Sequence, residues 1–137
     1  MKVLIDTNIM IDAITNRDGK NCSSAKVIDL CALNEIEGFL APHSLSNMYY
    51  ILRKQYSDSE RRTILKRYSC ILKAVELNVN VLVSAIYNDD ITDFEDAIQC
   101  ACAEAAGADY IVTRNTKDYA KSSVKAVSPE ELLKLIS

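Results

Sequence analysis

The sequence predicts an α/β fold, a three-layer α/β/α sandwich around a small parallel sheet. Two apolar runs, "KVLI" at 2–5 and "DYIVT" at 109–113, have the length and composition of buried parallel strands. Between such runs, apolar residues recur at helical spacing, and strands that alternate with helices favour a parallel sheet covered on both faces. The 137 residues contain no internal repeat and no linker-like stretch, so we expect one domain over 1–137.

The first part of the chain is expected to alternate between strands and helices. Its predicted elements are a strand at 2–5, helices at about 8–16 and 22–36, a strand at 38–41 and a helix at about 44–55. The second of these helices is expected to end before Gly38. Pro42 is expected to end the second strand, and Ser44 to cap the helix that follows.

The second part is expected to begin with a basic helix and to end with a capped one. Its predicted elements are a helix over 57–75, strands at 75–78, 109–113 and 124–127, helices at about 80–88 and 93–106, and a closing helix from Ser128. The segment 80–88 is compatible with strand or helix, and the stop signal at Asn88 favours a helix. Capping signals occur as two capping boxes and one C-cap glycine: Ser57 with Glu60, Ser128 with Glu131, and Gly107.

Charge is distributed unevenly along the chain. The formal net charge is −3, yet the segment 53–73 carries seven basic residues against two acidic ones. A basic strip in an otherwise acidic protein is a candidate contact for a phosphate backbone, and a solvated helix face is the alternative. The residues of this strip that could make such a contact are Arg53, Lys54, Arg61, Arg62, Lys66 and Arg67.

Several classes of protein are disfavoured by composition. No apolar run approaches the roughly 20 residues that span a bilayer, and the start of the chain does not resemble a secretory signal. The five cysteines form no CxxC pair, which favours reduced thiols in a cytoplasmic protein. The three glycines form no phosphate-cradling loop.

Acidic residues are expected to converge at one edge of the predicted sheet. Asp6 directly follows the first strand, and Asp118 follows the strand at 109–113 after a short turn. Because ligands bind beyond the carboxyl ends of parallel strands, a helix that starts nearby at "DFEDA" would bring Asp96 toward both. Three clustered carboxylates repel one another, and a hard divalent cation relieves that repulsion. For Asp6 alone, a role as a helix cap stays open.

The other residues of "DFEDA" have simpler interpretations. Asp93 is well placed to cap the helix, and Glu95 is expected to face away from the acid cluster into solvent. His43, the only histidine, precedes a predicted helix cap, so acid–base chemistry that depends on histidine is not expected.

At this point the chain resembles the PIN-domain nucleases. The matching segments are "LIDTNIMIDAI" at 4–14, "DFEDAIQCACAEAAGADYIVTRNTKDY" at 93–119 and, more weakly, "APHSLSNMYYILRK" at 41–54. The resemblance implies a ribonuclease that hydrolyses RNA phosphodiester bonds with magnesium (Mg²⁺) or manganese (Mn²⁺), often the VapC-like toxin of a type II toxin–antitoxin pair. By position it makes Asp6, Asp96 and Asp118 the catalytic metal-site acids. It also implies pocket support from Thr7, Asn8, Asn47, Asp93, Thr113 and Asn115. With such a pocket, the six residues of the basic strip are expected to bind the RNA backbone.

The sequence departs from this pattern at two positions. Asn47 stands where many of these nucleases have a Glu, and Asn115 where some have an acid. The alternative is therefore a weakened or inactive PIN-like module that binds RNA or a protein partner. Partners to expect are an RNA substrate, a cognate antitoxin and, through apolar surface on the long helices, a second copy of the chain.

Overall fold

A computed structural model describes residues 1–15 and 22–137, and it confirms the predicted α/β architecture. Within these residues, five parallel strands form one sheet in the order β3-β2-β1-β4-β5. The strands are β1 (Lys2–Ile5), β2 (Glu37–Leu40), β3 (Lys73–Ala74), β4 (Tyr110–Val112) and β5 (Lys125–Val127). The α-helices are α1 (Thr7–Thr15), α2 (Ser23–Ala32), α3 (Pro42–Ile51), α4 (Asp58–Ile71), α5 (Val79–Ile86), α6 (Phe94–Ala106) and α7 (Pro129–Ile136). The predicted end of the first helix, at 16, lies outside the described residues.

The central strand of the sheet is β1. Leu4 pairs with Phe39 of β2 on one side and with Ile111 of β4 on the other. The ladder continues past the strand ends, because the Asp6 amide donates to the Val112 carbonyl at 3.0 Å. The carboxyl ends of β1 and β4 are therefore adjacent, and the residue that follows each strand lies at the same edge.

Side chains alternate between the two faces of the sheet and build a core on each. Val3 and Ile5 pack with residues of α1, α2, α3, α4 and α7. Leu4 and Ile111 face the opposite layer, where they pack with α5 and α6. These are the three predicted layers. None of the helices in the described part of the chain is long and apolar enough to cross a membrane.

Several predicted boundaries are wrong. The helix predicted over 57–75 is α4, which ends at Ile71, because Leu72 is extended and leads into β3. The helix α2 ends at Ala32 rather than near 36, because Asn34 adopts a left-handed conformation (φ 59°) and turns the chain toward β2. The third strand is Lys73–Ala74 rather than 75–78. Its partner strand β2 ends at Leu40, so the residues after 75 have no part of β2 left to pair with.

Most of the capping predictions are confirmed. The capping boxes at Ser57 and Ser128 form, and Gly107 ends α6 in the left-handed conformation (φ 67°). The segment expected at about 80–88 is helical as α5. Ser44 is not a cap, because α3 already begins at Pro42, and its fully buried hydroxyl instead contacts groups at the sheet edge.

Candidate functional site

Asp6 is a buried carboxylate at the end of β1. Its side chain accepts hydrogen bonds from the Thr7 amide at 2.7 Å, the Thr113 hydroxyl at 2.8 Å and the Tyr119 hydroxyl at 3.2 Å. Burial nevertheless raises the pKa of Asp6 above its ordinary value, although the bonds from Thr113 and Thr7 oppose that shift. The local structure thus holds an acid in place without fully compensating its charge.

Asp96 meets Asp6 from the first turn of α6. The Asp93 side chain caps this helix as predicted, by accepting from the Asp96 amide at 3.0 Å. The Tyr119 hydroxyl lies 3.1 Å from Asp96 Oδ1 as well as 3.2 Å from Asp6 Oδ2, so one phenol links the two acids. Partial burial, with the neighbouring carboxylates of Glu95 and Asp93, raises the pKa of Asp96 to about 7.

These acids line an open cleft of about 430 Å³. Six of the residues predicted for the site lie on its wall together: Asp6, Thr7, Asn8, Asn47, Asp96 and Asn115. Buried Thr113 lies directly behind them, where it binds Asp6 and receives the Asn115 amide at 3.1 Å. Five of the six predicted supporting residues therefore surround the first two acids, whereas Asp93 lines the neighbouring pocket.

Asp118 occupies a different position. It is exposed and lines a neighbouring polar pocket of about 560 Å³ with Asp93, Asp96 and Lys117. Asp118 lies in a short 3₁₀ turn (Thr116–Tyr119), in which the next residue, Tyr119, is the one that turns inward. Asp96 borders both pockets, whereas Asp118 borders only the outer one, and its role as a metal ligand stays a prediction.

The expectation for Glu95 is wrong, because its side chain lines the cleft. Its Oε1 lies 2.9 Å from His43 Nε2 and 3.1 Å from Gln99 Nε2. Burial alone would raise the pKa of Glu95, but the hydrogen bonds from His43 and Gln99 outweigh it and hold that pKa below its ordinary value. Among the described residues, ligand oxygens of Asp93, Glu95 and Asp96 all lie within 4.8 Å of one another.

Gln99 is a second residue that the sequence reasoning missed. Its side chain is fully buried, and its Nε2 lies 3.4 Å from Asp6 Oδ1 and 3.0 Å from the Ser44 hydroxyl. Its Oε1 has no hydrogen-bond partner among the described residues. The sequence did contain a signal: a Gln within the small apolar stretch of α6, four residues after Glu95 and so on the same side of the helix.

The predicted RNA-binding residues lie outside the cleft wall. Arg53 and Arg61 stack over the rings of Tyr50 and Tyr49, at 3.8 Å and 3.9 Å from the ring centroids. The basic residue that lines the cleft is Arg114, whose Nε lies 3.0 Å from Asp12 Oδ2. Arg114 follows Thr113 directly, so its proximity to the strand end was the available signal.

The donor set of this cleft suits a hard divalent cation. Carboxylates of Asp6, Glu95 and Asp96 with the amide side chains of Asn47 and Asn115 offer oxygen ligands, which Mg²⁺ and Mn²⁺ prefer. The raised pKa of Asp96 is a second sign, since burial, together with the neighbouring carboxylates, disfavours the charged form that a bound cation would stabilise.

Because the charge of Asp96 is not compensated, the stability of the metal-free protein should depend on pH. Because the folded pKa of Asp96 is about 7 against an ordinary 3.8, the folded state binds more protons between these values. The stability contributed by this group is therefore lost as pH rises through 7. With a chelator at pH 8, Asp96→Asn is expected to be more stable than wild type by about 1 kcal/mol after allowance for solvent screening. Chemical denaturation of both proteins at pH 8 and pH 5 measures the difference in their stability. An equal difference at both pH values would contradict this prediction.

Comparison with known proteins places these observations in context. A family model described as "PIN domain" matches residues 2–117. No curated protein matches the chain. VapBC2 from Rickettsia felis, solved bound to a DNA fragment from its promoter, is similar with a TM-score of 0.72 and 18% identity, over 93% of this chain and 98% of that chain.

Two further solved structures share the fold. A toxin–antitoxin complex from Klebsiella pneumoniae is 21% identical with a TM-score of 0.67, over 93% of this chain and 97% of that chain. VapBC-1 from nontypeable Haemophilus influenzae is 11% identical with a TM-score of 0.72, over 95% of this chain and 99% of that chain. At these identities the likeness concerns the fold.

Proposed function

The chain belongs to the PIN-domain family, a nuclease family, and from this premise we propose that it is a divalent-metal-dependent ribonuclease that hydrolyses RNA phosphodiester bonds. The observation that carries the proposal is the convergence of Asp6 and Asp96 in one cleft, linked through Tyr119 and lined by amide side chains. One fold can carry many functions, so it is this site, and not the fold, that supports a catalytic role.

In this proposal Asp6 and Asp96 hold a Mg²⁺ or Mn²⁺ ion. Such an ion would supply Lewis-acid chemistry, that is, neutralisation of charge on the scissile phosphate and a lower pKa of the attacking water. The protein's own part is to orient the ligands: Thr113 and Tyr119 bind Asp6, and Tyr119 also binds Asp96. Asp118 and Asp93, on the far side of Asp96, remain candidates for a further acid near the ion.

The substrate in this proposal is RNA, held mainly by its phosphates. Arg114 at the cleft can approach the scissile phosphate, although it must first exchange its contact with Asp12. Arg53 and Lys54 follow closely after Ile51, which lines the cleft, so the basic strip begins next to the site. Guanidinium groups already stacked on tyrosine rings lose less freedom on binding a backbone.

We also propose that the chain is the toxin of a type II toxin–antitoxin pair, with a cognate antitoxin as partner. The support is that one similar structure is a toxin–antitoxin complex and two others are VapBC assemblies. A homodimer stays a prediction.

A second candidate is a weakened or inactive PIN-like module that binds RNA or a protein. It is favoured by Asn47, which presents an uncharged amide to the cleft where a carboxylate would bind a cation more strongly.

Cleavage of a mixed RNA substrate by purified protein separates the two candidates. The enzyme proposal expects cleavage with Mg²⁺ or Mn²⁺ that a chelator abolishes and that the matched control Asp96→Asn lacks. The enzyme proposal also predicts that Mn²⁺ stabilises the protein. The expected gain is about 2.7 kcal/mol when the free Mn²⁺ concentration is a hundred times the dissociation constant. Identical trace activity in wild type and Asp96→Asn, with no thermal shift, would favour the binding module.

A further inference from the structure

The cleft has carboxylates on two of its sides and an uncharged group on the third. Asp6 comes from the end of β1 and Asp96 from α6, whereas α3 contributes Asn47. A divalent cation bound only by these groups would have two charged ligands. Glu95 is the other carboxylate on the same wall, and it approaches the α3 side, because its partner His43 belongs to that helix.

The Glu95 carboxylate is held from two directions. His43 of α3 and Gln99 of α6 both contact the same oxygen, Oε1, at 2.9 Å and 3.1 Å. A carboxylate only accepts hydrogen bonds, so His43 uses its Nε2–H tautomer or is charged. Two donors on one oxygen restrict the orientation of the carboxylate, which also lies against the carboxyl group of Asp96. A cation between Glu95 and Asp96 would replace the hydrogen bond that these two acids share. Metal-binding carboxylates are commonly anchored by outer hydrogen bonds like those from His43 and Gln99.

Gln99 connects this carboxylate to Asp6. Its amide nitrogen has two hydrogens and lies within 3.5 Å of four acceptors: Asp6 Oδ1, Thr7 Oγ1, Ser44 Oγ and Glu95 Oε1. Its fully buried side chain leaves Oε1 without a partner among the described residues, and such an arrangement is costly in a core. A buried amide at position 99 is explained if it holds the carboxylates of Asp6 and Glu95 at a fixed distance around a shared ligand.

We propose that Glu95 is a third metal-binding carboxylate of the cleft, and that His43 and Gln99 are positioning residues that hold it on the side of α3. This inference rests on the proposed metal-dependent function. A purely structural role, in which Glu95 only joins α3 to α6 through His43, is the reading that the test must separate from it.

The test is Mn²⁺ binding to the purified protein, measured by calorimetry and by the electron paramagnetic resonance of free Mn²⁺. Glu95→Gln is expected to weaken binding at least about tenfold, and His43→Leu about tenfold, because outer-shell partners commonly contribute that much. His43→Gln keeps an N–H donor and is expected to bind nearly as wild type does. Glu130→Gln, an exposed Glu on α7, is the matched control and should bind Mn²⁺ unchanged.

A rescue variant separates ligation from structure. In Glu95→Gln with Asn47→Glu, a carboxylate returns to the same cleft from α3, and Mn²⁺ affinity and RNA cleavage are expected to recover. A purely structural Glu95 predicts little loss of Mn²⁺ affinity in Glu95→Gln itself, because the amide oxygen of Gln can still accept a hydrogen bond from His43. Circular dichroism of each variant confirms that it is folded.

Three outcomes would overturn the inference, and the first two differ from failure of the proposed function. If Glu95→Gln binds Mn²⁺ as wild type does while Asp6→Asn does not, the metal site stands without Glu95. If affinity falls in Glu95→Gln and Asn47→Glu fails to restore it, Glu95 does not act as a metal ligand of the cleft. If wild type neither binds Mn²⁺ nor cleaves RNA, the proposed function and this inference are both wrong.

Discussion

Asp6→Asn is expected to lower the turnover number for metal-dependent RNA cleavage by about a thousandfold, which corresponds to several kcal/mol of lost transition-state stabilisation. The variant keeps the shape of the side chain but removes the charge of the most buried acid in the cleft. The bonds from the Thr7 amide and the Thr113 hydroxyl were made to a carboxylate, so part of the ligand geometry is lost as well.

The measurement is single-turnover cleavage at saturating Mn²⁺, with Asp89→Asn as the matched control. Asp89 is exposed and does not line the cleft, so its replacement should leave the rate unchanged. The fold should survive in Asp6→Asn, because burial already disfavours the charged form of Asp6. A rate within threefold of wild type would contradict the assignment of Asp6 as a metal-site acid.

Gly38→Val is expected to destabilise the fold by about 3 kcal/mol, which lowers the thermal midpoint by about 10 °C. Gly38 lies in β2 beneath α2, and a Cβ added there would come within 2.5 Å of Leu72 Cδ2 and 2.6 Å of Cys31 Sγ. Both neighbours are buried, so neither can move aside without disturbing the core. Thermal denaturation monitored by circular dichroism measures the effect.

Gly107→Asn is the control for this prediction. A Cβ at Gly107 meets no atom within 4 Å, and Asn is the residue that best tolerates its left-handed conformation. Its expected cost is therefore below about 1 kcal/mol. If the two variants lost equal stability, close packing of α2 on β2 would not be the reason that a glycine occupies position 38.

Local sequence patterns were sufficient to predict the parts of the site that follow from strand order. Asp6 and Thr113 could be placed side by side from sequence, because each follows a buried strand and parallel strands end at one edge. Asp96 followed from the capping of α6 by Asp93. These predictions use contacts that are set within one element or between adjacent strands.

The residues that were missed depend on contacts between distant segments. Helical spacing gives the direction of Glu95 from its own axis, but not that His43 would meet it from α3. Ser44 is a residue type that often caps helices, but Pro42 can begin a helix two residues earlier, which places Ser44 within the helix. At the end of β4, a tight 3₁₀ turn determines that Tyr119 rather than Asp118 points inward.

The parallel sheet has an electrostatic consequence for the acids at its edge. Since strands and helices alternate in direction, α1 begins beside Asp6 and the first turn of α6 contains Asp96, and each helix start carries a partial positive charge. These helix dipoles lower the cost of gathering carboxylates before any cation arrives. The same field favours an incoming phosphate group. In a chain with a net charge of −3, we expect these two dipoles to offset part of the repulsion between the acidic cleft and a phosphate backbone.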